Sequence, residues 1–73
     1  MPAKNIHVVP SADGWTVELE GGQGGDVHPT QEAAIAAGTV RAKRDQVELI
    51  IHGQDGEIRE RNSFGHDPRN VKG

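Results

Sequence analysis

"VELIIHGQDGEIRERN", Val47 to Asn62, decides how this chain folds. Val47, Leu49 and Ile51 fall on one side of an extended backbone and Glu48, Ile50 and His52 on the other, the side-chain period of a strand. Asp55-Gly56 then supplies a turn, because glycine accepts positive φ without steric cost. "EIRERN" returns as a second strand, with Ile58 expected inward and Arg59 and Arg61 outward. Its alternating charge suits an edge strand, where charges discourage further pairing. The stretch is a hairpin with one apolar side.

Working outward, a similar hairpin stands at the start. "NIHVV" (Asn5–Val9) is short and β-branched, and Pro10 with "SADG" ends it. In "WTVELE", Trp15, Val17 and Leu19 alternate with Thr16, Glu18 and Glu20, the pattern of a half-buried strand. "GGQGGD" (Gly21–Asp26) reads as a flexible connector, since four glycines in six residues favour neither strand nor helix. Thr30 can cap a helix running through "QEAAIAAGTVRAKR", with Glu32 early and Arg41, Lys43 and Arg44 late, as the helix dipole favours. Ala34, Ile35, Gly38 and Ala42 form a stripe of mostly small residues that lets the helix lie close to a sheet. Gly38 costs about 1 kcal/mol against Ala in an open helix, and a close approach of the backbone compensates.

The order is β-β-α-β-β. The expected fold is α+β: a four-stranded, mainly antiparallel sheet with one helix packed on one face. Residues 1–68 form the single domain and residues 69–73 a flexible tail. The helix covers Ile6, Val8, Trp15, Val17, Leu19, Val47, Leu49, Ile51 and Ile58. The uncovered face shows His7, Val9, Thr16, Glu18, Ile50, His52, Arg59 and Arg61. The pattern leaves the strand order open. If the first and third strands are neighbours, Val9 and Ile50 make an apolar patch suited to a second subunit or to the C-terminal segment.

Size and charge narrow the function classes. The chain has 73 residues, room for one domain. A domain of this size buries only about 60% of its unfolded surface, and small folds often add a staple or a second subunit. There is no cysteine, which excludes disulfides and thiolate metal sites. Eleven acidic and eight basic side chains give a net charge of -3, against the basic field that broad nucleic-acid or membrane-surface binding needs. No apolar run approaches the roughly 20 residues of a membrane span, and no secretion signal is visible, so a cytoplasmic location is expected.

"HVVPSADGW", "TQEAAI" and "ELIIHGQDGEIRERNSFGHDP" together resemble a small bacterial and phage family, domain of unknown function 2188. The resemblance covers nearly the whole chain in order, and its last piece is long and specific. Arg41 stands where that family more usually has an apolar helix residue. The resemblance implies a bacterial or phage source and implies no catalytic residue and no ligand.

No constellation of enzyme chemistry stands out. Ser63, His66 and Asp67 share one short loop, whereas a triad takes its members from separate elements. A usable pocket of a few hundred Å³ is not expected at this size. The glycine run lacks the Gly-Lys-Ser/Thr of a phosphate loop. His7 and His52 can share a sheet face, but the spacing of a structural metal site is missing, and their rings are expected to bond to neighbours. No catalytic residue, metal ligand or cofactor is assigned. Asn62 and Ser63 are expected to turn the chain so that Phe64 covers apolar surface.

The leading expectation is a non-enzymatic module, a homodimer or a binder of another protein. Its expected interaction surface is His7, Val9, Ile50, His52, Arg59, Arg61 and Phe64. The alternative is a nucleic-acid accessory protein using Arg41, Lys43 and Arg44 at the helix end, with Arg59 and Arg61. Glu48, Glu57 and Glu60 lie among those bases, and Trp15 and Phe64 are the chain's only large aromatics, too few for a base-stacking platform.

Overall fold

The computed structural model describes residues 4–64. Its elements are β1 (Ile6–Ser11), β2 (Gly14–Leu19), β3 (Gln23–His28), α1 (Gln31–Asp45), β4 (Glu48–His52) and β5 (Ile58–Ser63). They form one five-stranded sheet in the order β3-β2-β1-β4-β5, with α1 on one face. The α+β class is as the sequence implies. All pairings are antiparallel except β1 with β4, the central pair, which run parallel.

Both expected hairpins form. β1 and β2 pair from Ile6↔Leu19 to Ser11↔Gly14. Gly14 has φ +138, and a Cβ there would collide with the His28 carbonyl oxygen, so only glycine fits. At the second hairpin Gly56 carries φ +87, and the Gly53 amide donates to the Glu57 carbonyl at 2.7 Å.

The glycine-rich stretch is a correction. Gly21 and Gly22 take positive φ in a tight turn, and the Gly22 amide donates to the Leu19 carbonyl at 2.8 Å. Gln23–His28 then pairs with β2 as a fifth strand, not a connector. An edge strand can be held by its backbone donors and acceptors alone, which glycine keeps. Gly25 also lies where a Cβ would meet the Thr16 methyl at 2.8 Å.

Helix α1 starts at Thr30, whose hydroxyl accepts from the Ala33 amide at 3.1 Å. It ends at Gln46 in the left-handed conformation, φ 57 and ψ 53. Ala34, Gly38 and Ala42 are its buried residues, the small stripe read from the sequence. A Cβ at Gly38 would stand 2.9 Å from Leu49 Cδ1 and 3.3 Å from Val8 Cγ2. The close approach that offsets the glycine is therefore real, and it sets the helix over β1 and β4. Ile6, Val8, Trp15, Val17, Val47, Leu49 and Ile51 complete the core, with Leu19 and Ile35 packed at its margin.

Arg41, unusual for its place on the helix, leans toward β3, its guanidinium 4.0 Å from the Asp26 carboxylate. The expected domain end at Pro68 and the tail 69–73 lie outside the described residues.

The last strand departs from simple alternation. Its register slips between Ile51↔Glu60 and His52↔Ile58, so Arg59 is an extra, bulged residue. One added residue reverses the faces beyond it. Ile58 therefore lies on the face of His52, 52% exposed, and is not a core residue. Arg59 turns to the helix side, with its stem against Gly53 and its guanidinium 3.7 Å from Asp55. Asn62 and Ser63 do not turn the chain. They continue β5 opposite Leu49 and Glu48, and the Phe64 amide extends the ladder to the Val47 carbonyl at 3.2 Å.

Candidate functional site

The face that α1 leaves uncovered is read from strand register, because residues paired directly across a sheet share a face. One row crosses it as Glu18, His7, Ile50 and Arg61. A second row brings Val27, Thr16 and Val9 together on three strands and His52 and Ile58 on the other two. Carrying the β1–β4 register one residue further sets Val9 beside His52. Of the expected surface residues, His7, Val9, His52 and Arg61 thus share this face. Ile58 and Val27 join them, 52% and 56% exposed. The sequence reading missed both, one for want of the bulge and one for want of the strand.

Three expected members are corrected. Ile50 is on this face but only 5% exposed, so it offers little surface for contact. Arg59 is on the opposite face, for the bulge described above. Phe64 packs at the margin of the core on the helix side, with the Lys43 ammonium 5.8 Å from its ring centre.

At the centre of the uncovered face the two histidines meet. His7 Nδ1 lies 2.9 Å from His52 Nε2, with ring centres 5.2 Å apart. His52 Nδ1 is 3.0 Å from the Gly56 carbonyl, which can only accept, so that nitrogen carries a proton. In the neutral pair His7 Nδ1 donates to His52 Nε2, and His7 Nε2 is left buried and without a partner among the described residues. Adding a proton to both rings would set N–H against N–H and break the bond. His7 is held below the ordinary imidazole value, first by burial and then by the neighbouring His52; Glu20 and Glu18 oppose this, and Arg61 reinforces it. Among the described residues no group of three His, Cys, Asp or Glu is placed to hold a metal ion.

On the helix side, α1 crosses β1 and β2 and stops short of β5. The gap is a groove of about 370 Å³ lined by Trp15, Gln31, Ile35, Ile51, Arg59 and Glu60, with Gly53 and Gln54 at its rim. The expectation that so small a chain has no space of this size is corrected. The bulge and the short helix together create it. Three of its polar groups are engaged within the chain: Arg59 with Asp55 at 3.7 Å, Gln31 Nε2 with the His52 carbonyl at 3.3 Å, and Glu60, which accepts from the Asn62 side-chain amide at 3.2 Å.

The basic residues do not converge. Arg41 approaches Asp26, Arg44 contacts Asp45 at 3.3 Å, Arg59 approaches Asp55, and Arg61 approaches Glu48 at 3.8 Å. Arg61 is on the open face and the others are not. Among the described residues no helix is long and apolar enough to cross a membrane.

Residues 6–64 match the family described as "Uncharacterized protein conserved in bacteria (DUF2188)". The chain belongs to the DUF2188 family. The matched span opens on the first residue of β1 and closes on Phe64, so it takes in every strand and the helix of the DUF2188 chain. No curated protein and no solved structure matches it.

Proposed function

We propose that this DUF2188 chain is a non-enzymatic binding module whose working surface is the uncovered sheet face. The observation that carries this reading is the placement of Val9, Val27 and Ile58. Two of them are more than half exposed, and all three share one face with an ordered polar centre, His7 and His52. Exposed apolar groups ringed by charges are how a soluble domain presents a contact surface. The groove on the other side supports the non-enzymatic half, since its charged groups, Arg59 and Glu60, are tied to neighbours and its lining offers no nucleophile beside a base. The nucleic-acid alternative draws less support, because its five bases are divided among the helix end, the helix side of β5 and the open face, and four of them lie against carboxylates.

The test is capture of a partner with three forms of the protein: unaltered, Val9→Lys on the open face, and Lys43→Glu on the helix. A macromolecule held by the unaltered protein and by Lys43→Glu but lost with Val9→Lys supports the reading. Equal retention by all three refutes it.

A further inference from the structure

We propose that the occupant of the open face is a second copy of this chain, laid face to face about a two-fold axis that runs parallel to the strands between β1 and β4. The proposal rests on the reading of this face as the working surface and names its partner.

The pattern of the face is self-complementary about that axis and no other in the sheet plane. The strands β2, β1, β4 and β5 run down, up, up and down, because the central pair is parallel and each flank is antiparallel. A rotation about the gap between β1 and β4 lays β1 over the partner copy's β4 and β2 over its β5, with directions matched. Glu18 then stands over Arg61 of the other copy, and Arg61 over its Glu18. Two opposite charges at the two ends of one row become two intermolecular pairs. A two-fold axis across the strands would instead lay each strand on itself and bring none of these charges together. The same rotation lays Thr16 over Ile58 of the other copy and leaves Val27 beside it. Ile58, 52% exposed, is thereby covered, and Val27, 56% exposed, is brought against its margin.

The charges fit the role. Among the described residues Glu18 has no cation within ion-pair distance, and Arg61 reaches only Glu48, at 3.8 Å. In the pair of copies Arg61 would lie between Glu48 of its own chain and Glu18 of the other.

The face also has the size of a real but modest interface. Four strands at about 4.8 Å and five residues at about 3.3 Å give a footprint of roughly 20 by 17 Å. Two such footprints come to roughly 700 Å², below the ~1,200–2,000 Å² of standard specific interfaces. With Ile50 already shielded inside each copy, the expected dissociation constant is ~10–100 µM.

The β5 edge is a poorer place for a second copy. A two-fold pairing of β5 with itself must keep faces matched, so it is centred on a residue. Centred on Glu60 or on Arg61, it sets like charge directly opposite like charge.

Sedimentation equilibrium on three proteins tests this: unaltered, Glu18→Arg and Arg61→Glu. The unaltered chain should be dimeric at several hundred micromolar. Each single variant should be at least tenfold weaker as a self-dimer, since two copies of it set like charges against each other. An equimolar mixture of the two variants should recover dimer, because both contacts then join opposite charges. Circular dichroism of each variant checks that the fold is kept, and the double variant Glu18→Arg/Arg61→Glu, which should dimerise with itself, repeats the test in one chain. A monomeric unaltered chain at that concentration overturns the proposal. So does a dimer that both single variants leave unchanged, or a mixture no tighter than its parts. None of these results touches the capture experiment above, in which a different macromolecule can occupy the same face.

Discussion

The two faces of this sheet are built from the same strands and solve opposite problems. Under α1 the side chains are apolar and the helix is stripped to Ala34, Gly38 and Ala42, so backbone approaches sheet and four side chains, Ile6, Val8, Val17 and Leu49, are almost wholly withdrawn from water. On the other face nothing among the described residues lies above the strands, and burial is achieved sideways. Ile50 is nearly buried, His7 bonds His52, and Val27 and Ile58 stay more than half exposed. The difference teaches where stability and where contact reside. A small domain has few kcal/mol to spare, and here the helix side supplies them, which leaves the other side free to vary its chemistry.

Substitutions can break this contrast or sharpen it. Leu49→Ala should act most strongly, lowering stability by about 2–5 kcal/mol in urea unfolding, because the cavity lies between helix and sheet where nothing can collapse into it. Gly38→Val should cost about 1–3 kcal/mol, since its added atoms meet Leu49 and Val8. Gln46→Gly should go the other way, raising stability by about 0.5–1 kcal/mol, because it relieves a left-handed helix end occupied by a side chain. Ile58→Thr on the open face should change stability by no more than about 0.5 kcal/mol, as an exposed strand position does. If Ile58→Thr proved as damaging as Leu49→Ala, the two faces would not differ as described.

His7 gives the open face a dependence on pH. Folding favours neutral His7, because burial and His52 both hold its proton affinity below the ordinary value of 6.5. The unfolded chain therefore binds more protons as pH falls through that value. This contribution to stability is intact above it and is lost progressively below it. Stability measured by denaturant between about pH 7.5 and pH 5 should fall. In His7→Gln the fall should be shallower, and an unchanged slope would show that the ring does not sense its setting.

Much of the helix side was legible in the sequence. The alternation of Val47, Leu49 and Ile51, the matching run Trp15, Val17 and Leu19, and the small stripe on the helix all report burial directly. What escaped had physical reasons. β3 is bonded through its backbone, and glycines leave no side-chain period to read; the only cues were Val27 and the short turn at Gly21-Gly22. The bulge at Arg59 adds no distinctive residue, yet it exchanges the faces of Ile58 and Arg59. The histidine pair depends on β1 lying beside β4, a parallel contact between segments about forty residues apart that no local pattern encodes. The open face was foreseen as a surface, with Val9, His7, His52 and Arg61 correctly on it, while its apolar content shifted from Ile50 to Val27 and Ile58.

Amide NMR across a dilution series, from about ten micromolar to nearly one millimolar, addresses the division of labour between the faces most directly. Signals of Val9, Thr16, Val27, Ile58 and Arg61 should move with concentration, while those of Ala34, Gly38 and Ala42 stay fixed. Movement concentrated along the helix, with the strand residues still, would contradict it.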